Sequence, residues 1–128
     1  MLRGGVTPLA RLGATVTGID IADEAIKDYV TITQEGLQNR ASCVVMDGEE
    51  LGFPSNTFDV ICCTGVLHHL NIRKAASSWA KVLKPDGRVA MIEPLAYHPL
   101  VMLYRFATPS LRTRDEHPLA PRDIRVLK

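Results

Sequence analysis

The chain has 128 residues, of which 46% are hydrophobic and 23% are charged, and its formal net charge is +1. This length allows one domain, and the composition is ordinary for a globular protein. A net charge this small argues against a nucleic-acid partner bound by bulk electrostatics. No apolar run approaches the roughly 20 residues that a membrane helix needs, so we expect no transmembrane segment and no signal peptide.

The three cysteines indicate a reducing compartment, because an odd number without a secretory signal is unusual for a disulfide framework. We therefore expect a cytoplasmic protein, with a mitochondrial location open if the N-terminus is incomplete. Cys62 and Cys63 are adjacent in an apolar run, and neighbouring strand residues point to opposite faces. They are expected to be small buried residues, and no metal site is predicted.

In chain order, the first half alternates helix and strand. Thr7-Pro8 predicts a helix start with Thr7 as the N-cap, and Gly13 predicts its end. Residues 14–19 form a β-rich run that ends at Asp20. Residues 23–33 follow with apolar side chains on one helical face.

The second half continues the alternation, with strands expected at residues 42–46, 58–63 and 88–93 and a helix at residues 72–83. The run 58–63 is nearly all apolar, as expected of a parallel strand covered on both faces. Lys84-Pro85-Asp86-Gly87 predicts a turn between that helix and the last strand. Strands alternating with helices indicate an α/β fold with a parallel, doubly wound sheet.

The ends of the predicted strands carry the candidate functional residues, because ligands bind at the carboxyl ends of the strands in such sheets. These residues are Asp20, Asp47-Gly48, Thr64-Gly65 and Glu93-Pro94. The Asp20 carboxylate could accept hydrogen bonds from the vicinal hydroxyls of a ribose, or could be an acid favoured by a helix dipole. Asp47 could accept from the exocyclic amine of adenine, or could belong to a type I turn.

Taken together and in this order, the motifs resemble class I S-adenosylmethionine-dependent methyltransferases, in the branch that includes ubiquinone and menaquinone biosynthesis methyltransferases. The resemblance covers about residues 9–94. It is carried by Gly18-Ile19-Asp20, Asp47 with Phe53-Pro54, Phe58-Asp59-Val60, Gly65-Val66-Leu67-His68-His69-Leu70 and Val82-Leu83-Lys84-Pro85-Asp86-Gly87-Arg88. A dinucleotide site is disfavoured, because no Gly-x-Gly-x-x-Gly motif precedes the ribose acid.

The resemblance implies a three-layer Rossmann-like fold and a role for each matched position. Asp20 would bind the ribose diol, with Ile21 against the adenine. Asp47 would bind the adenine amine, and Gly48 would allow its close approach. The residues expected to line the cofactor after the third visible strand are Thr64, Gly65 and Val66, and His69 would face the methyl-transfer region.

The family's glycine-rich loop is represented here only by Gly4-Gly5, which would meet the methionine end of the cofactor. The strand before that loop, at the middle of the family's sheet, and the last two strands have no counterpart. We therefore expect an incomplete domain over residues 1–94 and a proline-rich extension over residues 95–128 that could cap a substrate. A truncated gene product, a gene-model fragment and a part of an oligomer remain open, and we expect weak cofactor binding and self-association.

The function expected from the resemblance is methyl transfer from S-adenosylmethionine to a small molecule, such as a quinone precursor or another apolar acceptor. The alternative is a catalytically inactive fragment that acts through binding or oligomerisation. His69 could be a general base, although positioning alone can suffice for an activated sulfonium donor.

Two segments near the C-terminus each have two interpretations. Residues 115–117 offer possible metal ligands, or form an exposed turn. Residues 97–106 could cap an apolar substrate or contact a membrane surface peripherally, or form a short helix, about residues 100–107, packed on the sheet edge.

Overall fold

A computed structural model of the chain describes residues 5–32, 36–37, 39–93, 102–103, 106–107 and 125. The chain divides into two compact units, Met1–Gly52 and Phe53–Lys128, and each is described by itself. Both units are α/β, as the alternation of patterns predicts. Gly4, residues 115–117 and most of the extension after Glu93 lie outside the described residues, so the structure does not test the expectations for them.

The first unit contains helix α1 (Val6–Arg11), strand β1 (Val16–Asp20), helix α2 (Asp23–Ile32) and strand β2 (Ala41–Val45). Strands β1 and β2 are parallel, with a register that runs from Val16 opposite Ala41 to Asp20 opposite Val45. The N–H of Met46 donates to the C=O of Asp20 over 3.0 Å and extends the ladder past the strand ends. The unit buries the α1 and α2 side chains Val6, Ala10, Ile26 and Tyr29.

Helix α1 begins earlier than the sequence predicts. Its N-cap is Gly5 and not Thr7, because the C=O of Gly5 accepts the N–H of Leu9 over 3.2 Å and thereby starts the helical ladder. The predicted end at Gly13 is confirmed. Gly13 has φ of +99°, which suits a residue without a Cβ, and its N–H donates to the C=O of Ala10 over 3.0 Å, as in a Schellman cap.

The second unit contains strand β3 (Phe58–Thr64), a 3₁₀ helix (Leu67–His69), helix α3 (Ile72–Val82) and strand β4 (Leu83–Ile92). Asn71 caps α3 by accepting the N–H of Lys74 over 3.2 Å. The predicted apolar face of α3 is confirmed, since Ile72, Ala75, Trp79 and Val82 are buried.

Strand β4 begins five residues before the predicted start at residue 88, directly after α3. Strands β3 and β4 are parallel, but the register shifts between the pair Phe58–Leu83 and the pair Val60–Arg88. The predicted turn, residues 84–87, is thus an excursion within the strand. A Cβ at Gly87 would lie 2.9 Å from the C=O oxygen of Lys84, so the excursion requires glycine there.

Strand β3 is not covered on both faces, contrary to the expectation from its apolar sequence. Burial alternates along it, with Ile61 and Cys63 half-buried and Val60 and Cys62 exposed. Cys62 is therefore not the buried residue that the sequence suggested. The physical reason is that only one face of the β3–β4 sheet is covered by the described part of the chain.

The four strands form two parallel pairs, β1 with β2 and β3 with β4, instead of one continuous sheet. Among the residues that the structure describes, no strand joins β1 to β3. Within the same residues, no helix is long and apolar enough to span a bilayer.

Candidate functional site

The carboxyl end of β1 presents Asp20 in a tight local turn. Its Oδ1 accepts the N–H of Ala22 over 3.0 Å, an Asx-type turn that turns the chain from β1 towards α2. Partial burial works against ionisation of this carboxyl. Despite burial, charge and hydrogen-bond interactions of the carboxylate, among them the hydrogen bonds from the N–H groups of Ala22 and Ile21, hold the pKa of Asp20 below its ordinary value. Asp20 is therefore an ionised acceptor at the strand end.

Ile21, the next residue, is an exposed apolar side chain. It is 74% exposed, although isoleucine is among the residues most often buried. This edge of the sheet therefore offers one charged acceptor, the Asp20 carboxylate, and one exposed apolar side chain, Ile21. A nucleoside can use the first for its ribose hydroxyls and the second for its base.

Asp47 lies just beyond the end of β2 in a second Asx-type turn. Its Oδ1 accepts the N–H of Glu49 over 2.8 Å, and its C=O accepts the N–H of Glu50 over 3.2 Å. The turn interpretation of Asp47 is therefore confirmed as local structure, and it leaves the side chain exposed. A carboxylate fixed by such a turn is preorganised to accept from a ligand.

Asp20 and Asp47 follow neighbouring strands at the same edge of the first sheet. Asp20 lies opposite Val45, so Asp47 is two residues further along the adjacent strand. Neighbouring strands lie about 4.7–4.9 Å apart, so the two strand ends that lead to these residues are adjacent. The structure thus brings these two predicted residues together, as the strand-end rule requires.

In the second unit, residues 65–70, here called the β3 loop, leave the carboxyl end of β3. Gly65 has φ of +61° and donates its N–H to the C=O of Ile92 over 2.8 Å. A Cβ on Gly65 would find no atom within 4 Å, so open space adjoins this backbone. Thr64 is exposed, and Val66 precedes the 3₁₀ helix.

Glu93, directly after β4, holds the β3 loop through a single carboxylate. Its Oε1 accepts the N–H groups of Val66 and Leu67, each over 2.8 Å. Its Oε2 lies 2.8 Å from Nδ1 of His68. The side chains of Glu93 and His68 are 2% and 9% exposed, so this is a buried polar cluster.

The charge state of Glu93 follows from these contacts. Burial opposes its ionisation, but the hydrogen bonds from His68 and from the N–H groups of Leu67 and Val66 hold the pKa of Glu93 below its ordinary value. Since an ionised carboxylate only accepts hydrogen bonds, His68 donates to it through Nδ1–H. Among the described residues, no group of three or more His, Cys, Asp or Glu side chains is arranged to hold a metal ion.

The two adjacent histidines differ in their surroundings. His69, the predicted catalytic residue, is exposed, while His68 is buried against Glu93. Their ring centroids are 4.1 Å apart, with the planes tilted by 41°. The two neighbouring rings therefore differ in burial, and the exposed imidazole of His69 lies beside the buried imidazole of His68.

The remaining predicted positions are described in part. Gly5 is exposed at the start of α1, and Gly4 is outside the described residues. Gly48 is half-buried in the turn after Asp47.

The sequence interpretation missed the hydrogen bond between Glu93 and His68. A signal for it existed, because parallel pairing of the third and fourth strands brings the end of one beside the loop of the other.

Comparison with known proteins finds similarity to methyltransferases. The methyltransferase domain family matches residues 4–91. A ubiquinone/menaquinone biosynthesis C-methyltransferase from Psychromonas ingrahamii is 38% identical over 96 residues, which cover 71% of this chain and 38% of that protein. An uncharacterized methyltransferase from Bacillus subtilis, YcgJ, is 32% identical over 80 residues, which cover 62% of this chain and 32% of the relative.

Solved structures share the fold. The crystal structure of Bacillus subtilis YcgJ aligns with a TM-score of 0.70 and 25% identity, over 87% of this chain and 49% of that one. The magnesium protoporphyrin IX methyltransferase of Synechocystis, solved with bound S-adenosylhomocysteine, aligns with a TM-score of 0.68 and 26% identity, over 94% and 54% of the two chains. The expected Rossmann-like methyltransferase fold is thus confirmed. The chain spans about a third of the length of these curated relatives and about half of these solved chains.

Proposed function

The chain belongs to the methyltransferase domain family, whose cofactor is S-adenosylmethionine, and we propose that it binds this cofactor and takes part in methyl transfer to a small molecule. The observation that carries the proposal is the pair of Asx-type turns at one sheet edge. There the ionised Asp20, the exposed Ile21 and the exposed Asp47 stand side by side.

The chemistry of these residues fits the adenosine part of the cofactor. Asp20 accepts hydrogen bonds from the two ribose hydroxyls, and Ile21 covers one face of the adenine. Asp47 accepts from the exocyclic amine, and Gly48 leaves room for the base edge. A carboxylate that already binds a backbone N–H through one oxygen is held in place, which lowers the entropy lost on binding.

In the second unit, backbone atoms are proposed to bind the cofactor. We assign Thr64, Gly65 and Val66 to the cofactor, because the open space beside Gly65 allows a ligand to approach the chain closely. Gly4 and Gly5 are assigned to the methionine end, on the family resemblance. When bound, the cofactor supplies a methyl group on a positively charged sulfur, which is already activated for transfer.

His69 is assigned as the base when the acceptor is a hydroxyl group. Its exposure makes the imidazole accessible, whereas burial against Glu93 makes His68 unsuitable. Proton removal by a positioned histidine contributes typically about 10²–10⁴-fold to a rate. An acceptor that needs no proton removal would depend on positioning alone.

The acceptor is proposed to be a quinone precursor or another apolar small molecule. Support comes from the similarity to a ubiquinone/menaquinone biosynthesis C-methyltransferase, which covers 71% of this chain. A ubiquinone biosynthesis O-methyltransferase from Idiomarina loihiensis is also 32% identical over 83 residues, which cover 63% of this chain and 34% of that protein.

Isothermal titration of the full chain with S-adenosylhomocysteine tests cofactor binding, and titration with NAD is the control for a dinucleotide site. We expect weak but measurable heat of binding with S-adenosylhomocysteine and none with NAD. Transfer of labelled methyl from S-adenosylmethionine to a soluble naphthohydroquinone then tests the reaction. Binding without transfer would support the non-catalytic alternative, and absence of binding would refute the proposal.

A further inference from the structure

We propose that Glu93 is a positioning residue that holds the backbone of the β3 loop in its cofactor-binding conformation. This inference rests on the proposed function, since the β3 loop matters here through its contact with the cofactor. The family resemblance implies no role for Glu93, although its place at a strand end makes it one of the candidate functional residues.

The first step of the argument is the convergence of donors. Three donors from consecutive residues, the N–H groups of Val66 and Leu67 and Nδ1–H of His68, meet one carboxylate at 2.8 Å each. Hydrogen bonds to an ionised group are about twice as strong as neutral ones. Two of the three donors are backbone N–H groups, so a side-chain substitution in the loop would leave those two hydrogen bonds in place.

The second step is burial. With its side chain 2% exposed, Glu93 cannot exchange these donors for water without opening the unit. If the carboxylate were absent, two part-buried backbone N–H groups would lose their acceptor, which is unfavourable for the folded backbone. The loop would then move to regain partners.

The third step places the link beside the proposed contact. The N–H of Gly65 is already fixed on the C=O of Ile92, and the N–H of Val66 is fixed on the carboxylate of Glu93. Two consecutive residues of the loop are therefore anchored to two consecutive residues at the end of β4. These anchors fix the backbone of Gly65, which has a positive φ and open space beside it.

The test compares three variants of the full chain with the wild type. Glu93→Ala removes the acceptor. His68→Asn keeps a donor, because the Asn amide nitrogen is attached to Cγ as Nδ1 is, and therefore preserves the carboxylate's third hydrogen bond. Val82→Ala is the matched control, since it opens a cavity at a fully buried α3 residue without altering the link.

Two measurements are needed on each variant. Amide hydrogen exchange without ligand reports the N–H groups of Val66 and Leu67, and titration with S-adenosylhomocysteine reports affinity. We expect Glu93→Ala to speed exchange at both amides and to weaken binding about tenfold or more. His68→Asn should stay within about threefold of wild type. Val82→Ala should lower the melting temperature and leave the affinity unchanged.

The outcomes separate this inference from the proposed function. If the wild type binds and Glu93→Ala binds equally well despite faster exchange, the carboxylate is structural and the positioning role is wrong. If Val82→Ala weakens binding as much as Glu93→Ala at equal loss of stability, the effect is general and the inference also fails. If the wild type does not bind, the proposed function is wrong and the positioning role falls with it.

Discussion

Gly65 and Ile92 join the loop after β3 to the end of β4 through one hydrogen bond of 2.8 Å, made while Gly65 has φ of +61°. The contact continues the parallel ladder one residue beyond the pair Thr64–Ile92. Gly65 thus adopts a left-handed conformation at the point where the chain turns away from the sheet.

The first prediction concerns this residue. Gly65→Ala should lower the free energy of unfolding by about 1–2 kcal/mol, because a Cβ is disfavoured in the left-handed region. No steric term adds to this, since nothing lies within 4 Å of the new Cβ. Urea denaturation followed by the fluorescence of the single tryptophan, the buried Trp79, measures it.

Gly13→Ala is the control for that variant, because Gly13 also has positive φ and has open space where the added methyl group would lie. Both variants should lose stability, and only Gly65→Ala should weaken binding of S-adenosylhomocysteine. Equal affinities for the two variants would argue against a cofactor contact at Gly65.

The second prediction is a pH dependence of stability. The pKa of Glu93 is lowered in the folded state, despite burial, by its hydrogen bonds from His68, Leu67 and Val66. A depressed carboxyl pKa contributes stability that is present above the unfolded value of about 4.3 and is lost as the pH falls through the folded value. The free-energy difference between wild type and Glu93→Gln should therefore be largest near pH 7 and shrink below about pH 4.

Urea denaturation at a series of pH values between these limits measures that difference. Glu50→Gln provides the comparison, since Glu50 is an exposed carboxyl. A gap between wild type and Glu93→Gln that did not change with pH would mean that the effect of the substitution is one of packing and not of charge.

The sequence predicted the elements whose patterns are local. The strands around residues 16–20, 41–45 and 58–64 were placed within two residues, because β-branched runs bounded by glycine and aspartate need no tertiary information. The start of β4 was not predicted, since pairing with Phe58 extends the strand across a proline-containing turn. The one-sided exposure of β3 also escaped prediction, because an apolar sequence does not say what covers it.

The candidate site likewise contains residues that the local sequence predicts and contacts that depend on how the strands pair. Asp20 and Asp47 could be selected because both follow strands, and strand ends share an edge. The link between His68 and Glu93 joins residues 25 apart and depends on the pairing of β3 with β4. Adjacent histidines look equivalent in a sequence, so the choice of His69 over His68 could be supported only by their different burial in the fold.

The third prediction concerns thiol reactivity. Burial, together with the negative charge of Glu93, raises the pKa of Cys63 to about 11. At pH 8 only about one thiol in a thousand would then be ionised, and the thiolate is the reactive form. Iodoacetamide should therefore modify the exposed Cys62 well before Cys63, as measured by peptide mass spectrometry over time.

Glu93→Gln tests the contribution of the Glu93 charge to the pKa of Cys63. Removing the carboxylate charge should lower the pKa of Cys63 and speed its alkylation, while Cys62→Ser should leave the slow phase in place. Rapid modification of Cys63 in the folded wild-type chain would contradict the burial seen in β3.

The last prediction tests the ribose contact of Asp20. Asp20→Ala should weaken the binding of S-adenosylhomocysteine by about 2–3 kcal/mol, or roughly 30- to 150-fold, because hydrogen bonds to a charged acceptor are lost. Asp20→Asn should lose less, since its Oδ1 can still accept the N–H of Ala22 and keep the turn. Asp23→Ala, at an exposed acid paired with Lys27, is the matched control and should bind as the wild type does.

A ligand that lacks the ribose hydroxyls identifies the contact itself. The dideoxy analogue of S-adenosylhomocysteine should bind the wild type weakly, and it should bind Asp20→Ala about as well as the normal ligand does. Such non-additivity is expected only when the carboxylate and the hydroxyls interact directly. If removing the hydroxyls weakened binding by the same factor in both proteins, Asp20 would not contact the ribose, and its carboxylate would serve only the turn into α2.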